Sequence, residues 1–482
     1  MKNMKFTIGT LLLLTLVIWS CKKEKQEETL AETTLETVSC NLTEKEFNSW
    51  FASGTATENG AVNNANSITF THNDNCDFYK WSEQMFLWLT SSTNGETVLE
   101  SPTFYTVSPK NASGKRSFIK HEKGVLLRAM ANVEKTGRVD SEEAQATDDV
   151  LMDKNGNLIY YISFANDVYA QFLTMNYGKS NDSLKFPTTA ADLKPINEFA
   201  KKNGVVLKDS TALAMEIKTS WVVADTLIDT SKYITIEAII PTYKKTETVW
   251  VISGERKAKL AMVGMHIVGS AAGHPEMIWA TFEHKDNAPN DSYQYVDDKG
   301  NVVTVPADGN GNWLLNTDVS SPANVSHMKF SHDSIIARAN QTISPSNTVR
   351  TKPWGSSYET QPNPEDKTPA IANTKVIDIN NSVTKYLPGS DIRKNYLFLG
   401  ATWTSNGVAP NGYSYSPSLT EAGVAIGSSQ LANSTMETYA QNGTAYSKYG
   451  SCFSCHSNNG LQPTDLSHVY GDLKPLIEII KK

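Results

Sequence analysis

Gly264-Met265-His266-Ile267-Val268-Gly269, then Gly273-His274-Pro275-Glu276, then Ile278-Trp279-Ala280-Thr281-Phe282-Glu283-His284: the reading of this stretch decides the architecture. Two apolar runs rich in β-branched and aromatic residues flank a Gly-containing turn, which reads as a β-hairpin folded about residues 270–274. On that folding His266 falls opposite residue 278 or so. His266 and His284 are then six strand positions apart, roughly 20 Å. Three His and two Glu invite a metal-site reading, but a regular hairpin keeps those two rings too far apart to share an ion. His266, His274 and Glu276 remain as candidate acid–base groups, and the alternative is a structural hairpin with polar ends.

Strand patterning extends outward from the hairpin over about residues 100 to 350. Asp153-Lys154-Asn155-Gly156, Asp298-Lys299-Gly300 and Asp308-Gly309-Asn310-Gly311 lie between Val, Ile, Tyr and Trp residues, which is hairpin-turn chemistry. None has Gly at the sixth position with a distal Glu, so a calcium loop does not follow. Helices are expected at about 166–177 and 189–203, the second closed by Gly204. Another, capped by Asn73 or Asp74, carries Phe78, Trp81, Met85, Trp88 and Leu89 at helical spacing, a core stripe. Residues 361–369, rich in Pro, Glu and Asp, read as a loop that divides the body into possible subdomains. A short helix and the strand Tyr396–Gly400 follow within 374–403, and Gly and Ser accumulate between 405 and 428.

The two ends carry the chemistry. Lys2 and Lys5 precede an apolar run from Leu11 to Trp19, too short to span a bilayer and so a secretory segment over residues 1–20. Ile18-Trp19-Ser20-Cys21 resembles a lipobox, which makes Cys21 the acylated first mature residue. Lys22 in the next position resembles outer-membrane sorting, toward the periplasm or the cell surface. Several acyl chains on one residue give a stable membrane anchor. At the other end, Ser451-Cys452-Phe453-Ser454-Cys455-His456 is a C-x-x-C-H about 26 residues from the C-terminus of a 482-residue chain. In an exported protein this points to haem c, with thioethers on Cys452 and Cys455 and His456 on the iron. A zinc half-site would need two more ligands nearby, where only His468 follows, and a thioredoxin-like dithiol needs a βαβ fold that so short a tail lacks. Of five cysteines, Cys40 and Cys76 are left over, and in an oxidising compartment they are expected to pair.

About 460 residues follow Cys21, and 39% of the chain is hydrophobic, ample for two or three domains. The net charge of −7 argues against nucleic acid and against an anionic lipid surface as partners. The expected class is α+β: a strand-rich body of sandwich-like antiparallel sheets with inserted helices over 46–425, after a polar tether at 21–45. A small α-helical, cytochrome c-like haem segment over 426–482 completes it, opening with a helix from Ser428 or Ser429 to about Tyr439. In that segment Pro463 is placed to present a carbonyl to His456 Nδ1.

The hairpin block, Asn395-Tyr396-Leu397 with Thr402-Trp403, Leu431-Ala432-Asn433-Ser434-Thr435-Met436-Glu437-Thr438-Tyr439 and the final C-x-x-C-H together resemble a family of exported bacterial mono-haem cytochrome c proteins, over most of the chain after residue 75. The resemblance implies haem c and export. Its Thr-Met-Glu-Thr-Tyr element favours Met436 as a sixth ligand; no Met follows His456, so the sixth position falls to an upstream residue, His468, water or substrate. Three functions are compatible: single-electron transfer with a redox partner protein, a haem-dependent oxidoreductase acting on a small molecule in the body, or a binding lipoprotein with structural haem.

Overall fold

The structure, a computed structural model, describes residues 39–477 except 94, 112, 123–125, 130–148, 181–182, 228, 332–333, 356–366, 411–422, 429, 431–432, 443–451 and 457–459. The secretory segment, Cys21, Lys22 and most of the tether lie outside the described residues. The last residues of the tether are already part of the fold: Cys40 and Leu42 are buried, and Cys40 is joined to Cys76 with Cα atoms 5.4 Å apart.

Cys76 lies in the first turn of α1 (Asn75–Leu89), where Asp74 accepts from the Cys76 and Asp77 amides and the Asp77 side chain closes a capping box. Next come β1 (Phe104–Val107), β2 (Phe118–Lys120) and β3 (Tyr160–Asn166), then α2 (Asp167–Asn176) and α3 (Ala190–Lys202). Both of these helices match the expected positions, and Gly204 follows α3 at φ +75°. β4 (Met215–Val223), β5 (Thr235–Lys245), β6 (Val249–Ala271) and β7 (His274–His284) lead to α4 (Thr368–Tyr386), β8 (Tyr396–Thr404) and β9 (Ala425–Gly427). α4 starts inside the region read as a loop and is longer than expected, because Pro369 sits in its first turn, where a missing N–H costs nothing.

The sheet runs β9, β8, β7, β6, β4, β3, β1, β2, antiparallel between neighbours. The strands form one sheet where facing sheets of a sandwich were expected. The cause is β6: its 23 residues pair with β5 over the first half and with β4 and β7 over the second. All eleven residues of β7 are buried, so both faces of the sheet centre are covered.

One face packs on α1. Phe86 stacks on Phe282 at 4.4 Å and 11°, and Gly269 admits Trp81, whose ring would meet an added Cβ at 3.2 Å. Each large side chain buried there contributes about 2 kcal/mol. The other face packs on α2, α3 and the C-terminal segment, in a core that unites Ala165, Tyr169, Trp279, Phe453, Leu466 and Tyr470. The described residues belong to one compact unit, and β9 pairs with β8 across the expected boundary at 425/426.

Two of the three turns are hairpins. Met152 bridges Leu158 around Gly156, and Tyr293–Val296 pairs with Val302–Val305 around Gly300. Asp308–Gly311 is not; Asp308 is drawn to Asn290, whose amide donates to its carboxylate at 2.8 Å. Nor do residues 433–439 form the expected helix. They are hydrogen-bonded turns, because Asn433, Ser434 and Thr438 spend their side chains on nearby backbone and on the sheet.

Candidate functional site

Cys452 precedes the four-residue helix α5 (Phe453–His456), whose turn is closed by the Cys455 and His456 amides donating to the Cys452 carbonyl at 3.2 and 3.1 Å. Neither thiol is in a disulfide; Cys455 is exposed and Cys452 half-buried. Phe453, wholly buried, anchors the turn edge-on against Trp279 of β7. The His456 ring lies 4.4 Å from the same Trp279. Its Nδ1 donates to the Leu466 carbonyl at 3.1 Å, which leaves Nε2 with its lone pair. The sequence pointed to Pro463 for that carbonyl. In α6 (Pro463–Leu466), the Pro463 carbonyl instead accepts from the Ser467 amide at 2.8 Å, and the turn of this helix carries the Leu466 carbonyl to the ring.

Burial, reinforced by the Lys218 ammonium, pulls the His456 pKa down to about 4, so the imidazole is neutral at physiological pH. Burial also pushes both thiols up, with the Glu437 carboxylate adding to the effect. That direction is opposite to the lowered thiol pKa of a redox-active dithiol.

The sheet beneath this turn carries polar residues in rows. Glu216, Lys218 and Ser220 of β4 pair with Val268, His266 and Gly264 of β6, and Val268 and His266 pair in turn with Trp279 and Thr281 of β7. Period two puts all of these on the face that meets the C-terminal segment. Over Gly264 and Ser220 sits the 433–437 turn. Its Asn433 donates to Thr281 Oγ1 at 3.0 Å and to the Phe282 carbonyl at 2.9 Å, and Ser434 bonds Glu283, which is paired with the buried Arg350. Gly264 makes this approach possible, because an added Cβ would stand 2.5 Å from Thr435 Oγ1.

Glu437 reaches from that turn to His266, with Oε1 2.8 Å from Nε2. Burial alone would raise Glu437, but the His266 ring and the Lys218 ammonium outweigh it and hold the carboxyl below its ordinary value. Lys218, desolvated, falls to about 8 although Glu437 and Glu216 oppose the shift. The segment is tied down by Ser467, whose hydroxyl donates to Glu216 at 2.6 Å and meets the Tyr169 hydroxyl at 2.8 Å.

The hairpin register differs from the regular one. Ala271 pairs with His274, but Gly269 pairs with Ile278 and His266 with Thr281. A bulge at Pro275–Met277 absorbs the difference, with Met277 at φ +68°. His284 is therefore three positions from the partner of His266, not six. It lies on the opposite face, stacked on Tyr233 at 3.9 Å. His274 and Glu276 form a separate buried pair, Nδ1 to Oε1 2.8 Å, enclosed by His72 and Phe78, and Glu276 also accepts from the Thr404 amide at 3.1 Å. Of the three candidates in the hairpin, His266 is the one in the row next to that of Trp279, on which the His456 ring lies. Met436 is buried among Leu151, Ile159, Tyr161, Val222 and Val263. His468 lies flat on His456, centroids 4.1 Å apart at 13°.

Lys218, Glu437 and Trp279 were not singled out from the sequence. The alternation Glu216-x-Lys218-x-Ser220 in an otherwise apolar strand was a signal for the first; Glu437 is 219 residues from Lys218 (437 − 218), and nothing local connects them. Among the described residues, no group of three or more His, Cys, Asp and Glu is placed to hold a metal ion by itself, and no helix is long and apolar enough to cross a membrane. Compared with known protein families, curated proteins and solved structures, the chain finds no match.

Proposed function

We propose that this chain is an exported, lipid-anchored mono-haem c-type cytochrome that passes single electrons to or from a partner protein, with its C-terminal residues serving as a small cytochrome c-like haem segment. One observation carries the reading. Two thiols outside any disulfide stand one helical turn apart, followed at once by a neutral imidazole whose Nδ1 is engaged by a carbonyl. That donor set fits covalent haem: Cys452 and Cys455 hold the porphyrin edge and His456 offers Nε2. Haem held there supplies a one-electron iron couple. The protein's part is to keep the ring in one tautomer through Leu466, to keep it neutral by burial, and to cover it with Trp279. Cys455 is the exposed member of the motif, which makes its edge the docking side for a partner. The sequence before Cys21, with Cys21 and Lys22, supports export and an outer-membrane anchor.

A second reading, a haem-dependent oxidoreductase, has one observation in its favour. A cleft of about 550 Å³, of a size for a small molecule, is lined by Gly273 and Pro275 on either side of His274, and by Phe172, Phe186 and Gly407.

The test is acid and organic extraction of the purified protein, followed by the alkaline pyridine spectrum of the pellet. Haem retained in the chain, and lost in the Cys452→Ala/Cys455→Ala double variant, supports the reading. Haem that extracts freely from the unaltered chain refutes it.

A further inference from the structure

On the haem reading, His456 would supply one nitrogen to the iron, and a second protein ligand would come from elsewhere in the chain. Two imidazoles that bracket one iron point a nitrogen at it from opposite sides. With metal–nitrogen bonds of about 2 Å, their ring centroids are about 6 Å apart. His468 does not meet this condition: its ring is parallel to His456 at 4.1 Å and its Nε2 is bonded to the Cys455 carbonyl at 2.8 Å.

The rows of the sheet give a scale for the remaining candidates. Along β4, each two-residue step is about 7 Å. His456 touches Trp279, which is in the row of Glu216 and Val268. His266 is in the next row, with Lys218. Met436 is buried in an apolar cluster with Leu151, Ile159, Tyr161 and Val263, apart from the polar row. His266 is the imidazole of the adjoining row.

The second requirement is a ring with a nitrogen to spare. Glu437 Oε1 stands 2.8 Å from His266 Nε2, placing a carboxylate beside the ring as carboxylates stand beside many metal-binding imidazoles. Nδ1 is left over. The charge of Glu437 is also felt by Cys452, Cys455 and His456, so the carboxylate beside His266 lies within electrostatic reach of the whole attachment motif.

We propose that His266, beside Glu437, is the second side chain that would hold the iron, together with His456, of a haem attached at Cys452 and Cys455. The inference rests on the haem reading above.

The test uses the full-length haem-loaded protein, with covalent attachment checked first by extraction. Ferric spectra by visible absorption and electron paramagnetic resonance should be low-spin for the unaltered chain and for Met436→Ala, and high-spin for His266→Ala. Added imidazole should restore the low-spin spectrum of His266→Ala, which a merely structural histidine would not do. His266→Met should stay low-spin with a raised reduction potential, since a thioether favours the ferrous state. A low-spin His266→Ala with unchanged potential overturns the assignment. So does a high-spin unaltered protein, or a high-spin His266→Ala that imidazole does not restore. In each of those cases the covalent haem persists and the proposed function stands; haem that extracts freely overturns both.

Discussion

Glu83 offers a sharp check on the packing of α1 against the sheet. The residue is 4% exposed, one turn after Tyr79, whose hydroxyl meets Ser428 Oγ at 3.0 Å. Burial alone drives its pKa from 4.5 up to about 8. The sign is opposite to that of a salt-bridged carboxylate. Between these two values the folded chain keeps the proton and the unfolded chain has lost it. The unfolded state then binds fewer protons, and stability falls as pH rises, by roughly 1.4 kcal/mol per pH unit from this group. Over pH 5.5 to 7.5 that amounts to about 3 kcal/mol. Glu83→Gln removes the titration while keeping the shape, so its own pH dependence lacks this component whatever the amide does to absolute stability. Urea unfolding of the full chain followed by tryptophan fluorescence, at both pH values and for both proteins, measures the difference. If the two proteins lose the same stability over that interval, to within about 0.5 kcal/mol, the buried carboxyl is not held protonated and the reasoning fails.

Two further outcomes follow from the geometry. The Cys40–Cys76 bridge closes a separation of 36 residues, so Cys40→Ser/Cys76→Ser should lower stability by about 4 kcal/mol in chemical denaturation; a loss below about 1 kcal/mol would mean that the tether end is held by packing alone. Gly264→Ala would bring its Cβ to 2.5 Å from Thr435 Oγ1 and 2.6 Å from Ser220 Oγ, and should cost about 1–3 kcal/mol in thermal unfolding. Gly309→Ala, with nothing within 4 Å, is its neutral control, and equal melting temperatures for the two variants would refute the close packing of the turn on the sheet.

What was legible in the chain was local. The Asp74 cap and the aromatic period gave away α1, Asn166 and Thr189 cap α2 and α3 through their side chains, and Gly156 and Gly300 mark true hairpins. The hairpin at the centre of the sheet was legible as a hairpin and its register was not. The three-residue bulge puts Met277 at positive φ, and a Met gives no hint of that conformation in the way a Gly or Asn would. The 433–439 turn was misread for a related reason. Its spacing of Met436 and Tyr439 is helical, but its Asn, Ser and Thr side chains find better partners on the sheet than a helix would offer them. The C-x-x-C-H could be singled out from six consecutive residues, while the side chains packed around it come from β4, β6 and β7.

Those surroundings bear on how independent the motif segment is. Phe453, Leu466, Val469, Tyr470 and Leu473 share a core with Tyr169, Phe172, Phe186 and Trp279 of the body. Backbone bonds join the two as well: the Arg116 amide donates to the Asp472 carbonyl and the Lys474 amide to that of Arg116, both at 3.0 Å. Each buried aromatic on the body side that is removed from contact forfeits about 2 kcal/mol of apolar burial, and a segment of under 60 residues has little core of its own to offset it. The C-x-x-C-H turn is thus the last layer packed on the sheet. The row of Lys218, His266 and Glu437 beneath it is half-buried, and the Lys218 ammonium and the Glu437 carboxylate each oppose the other's desolvation.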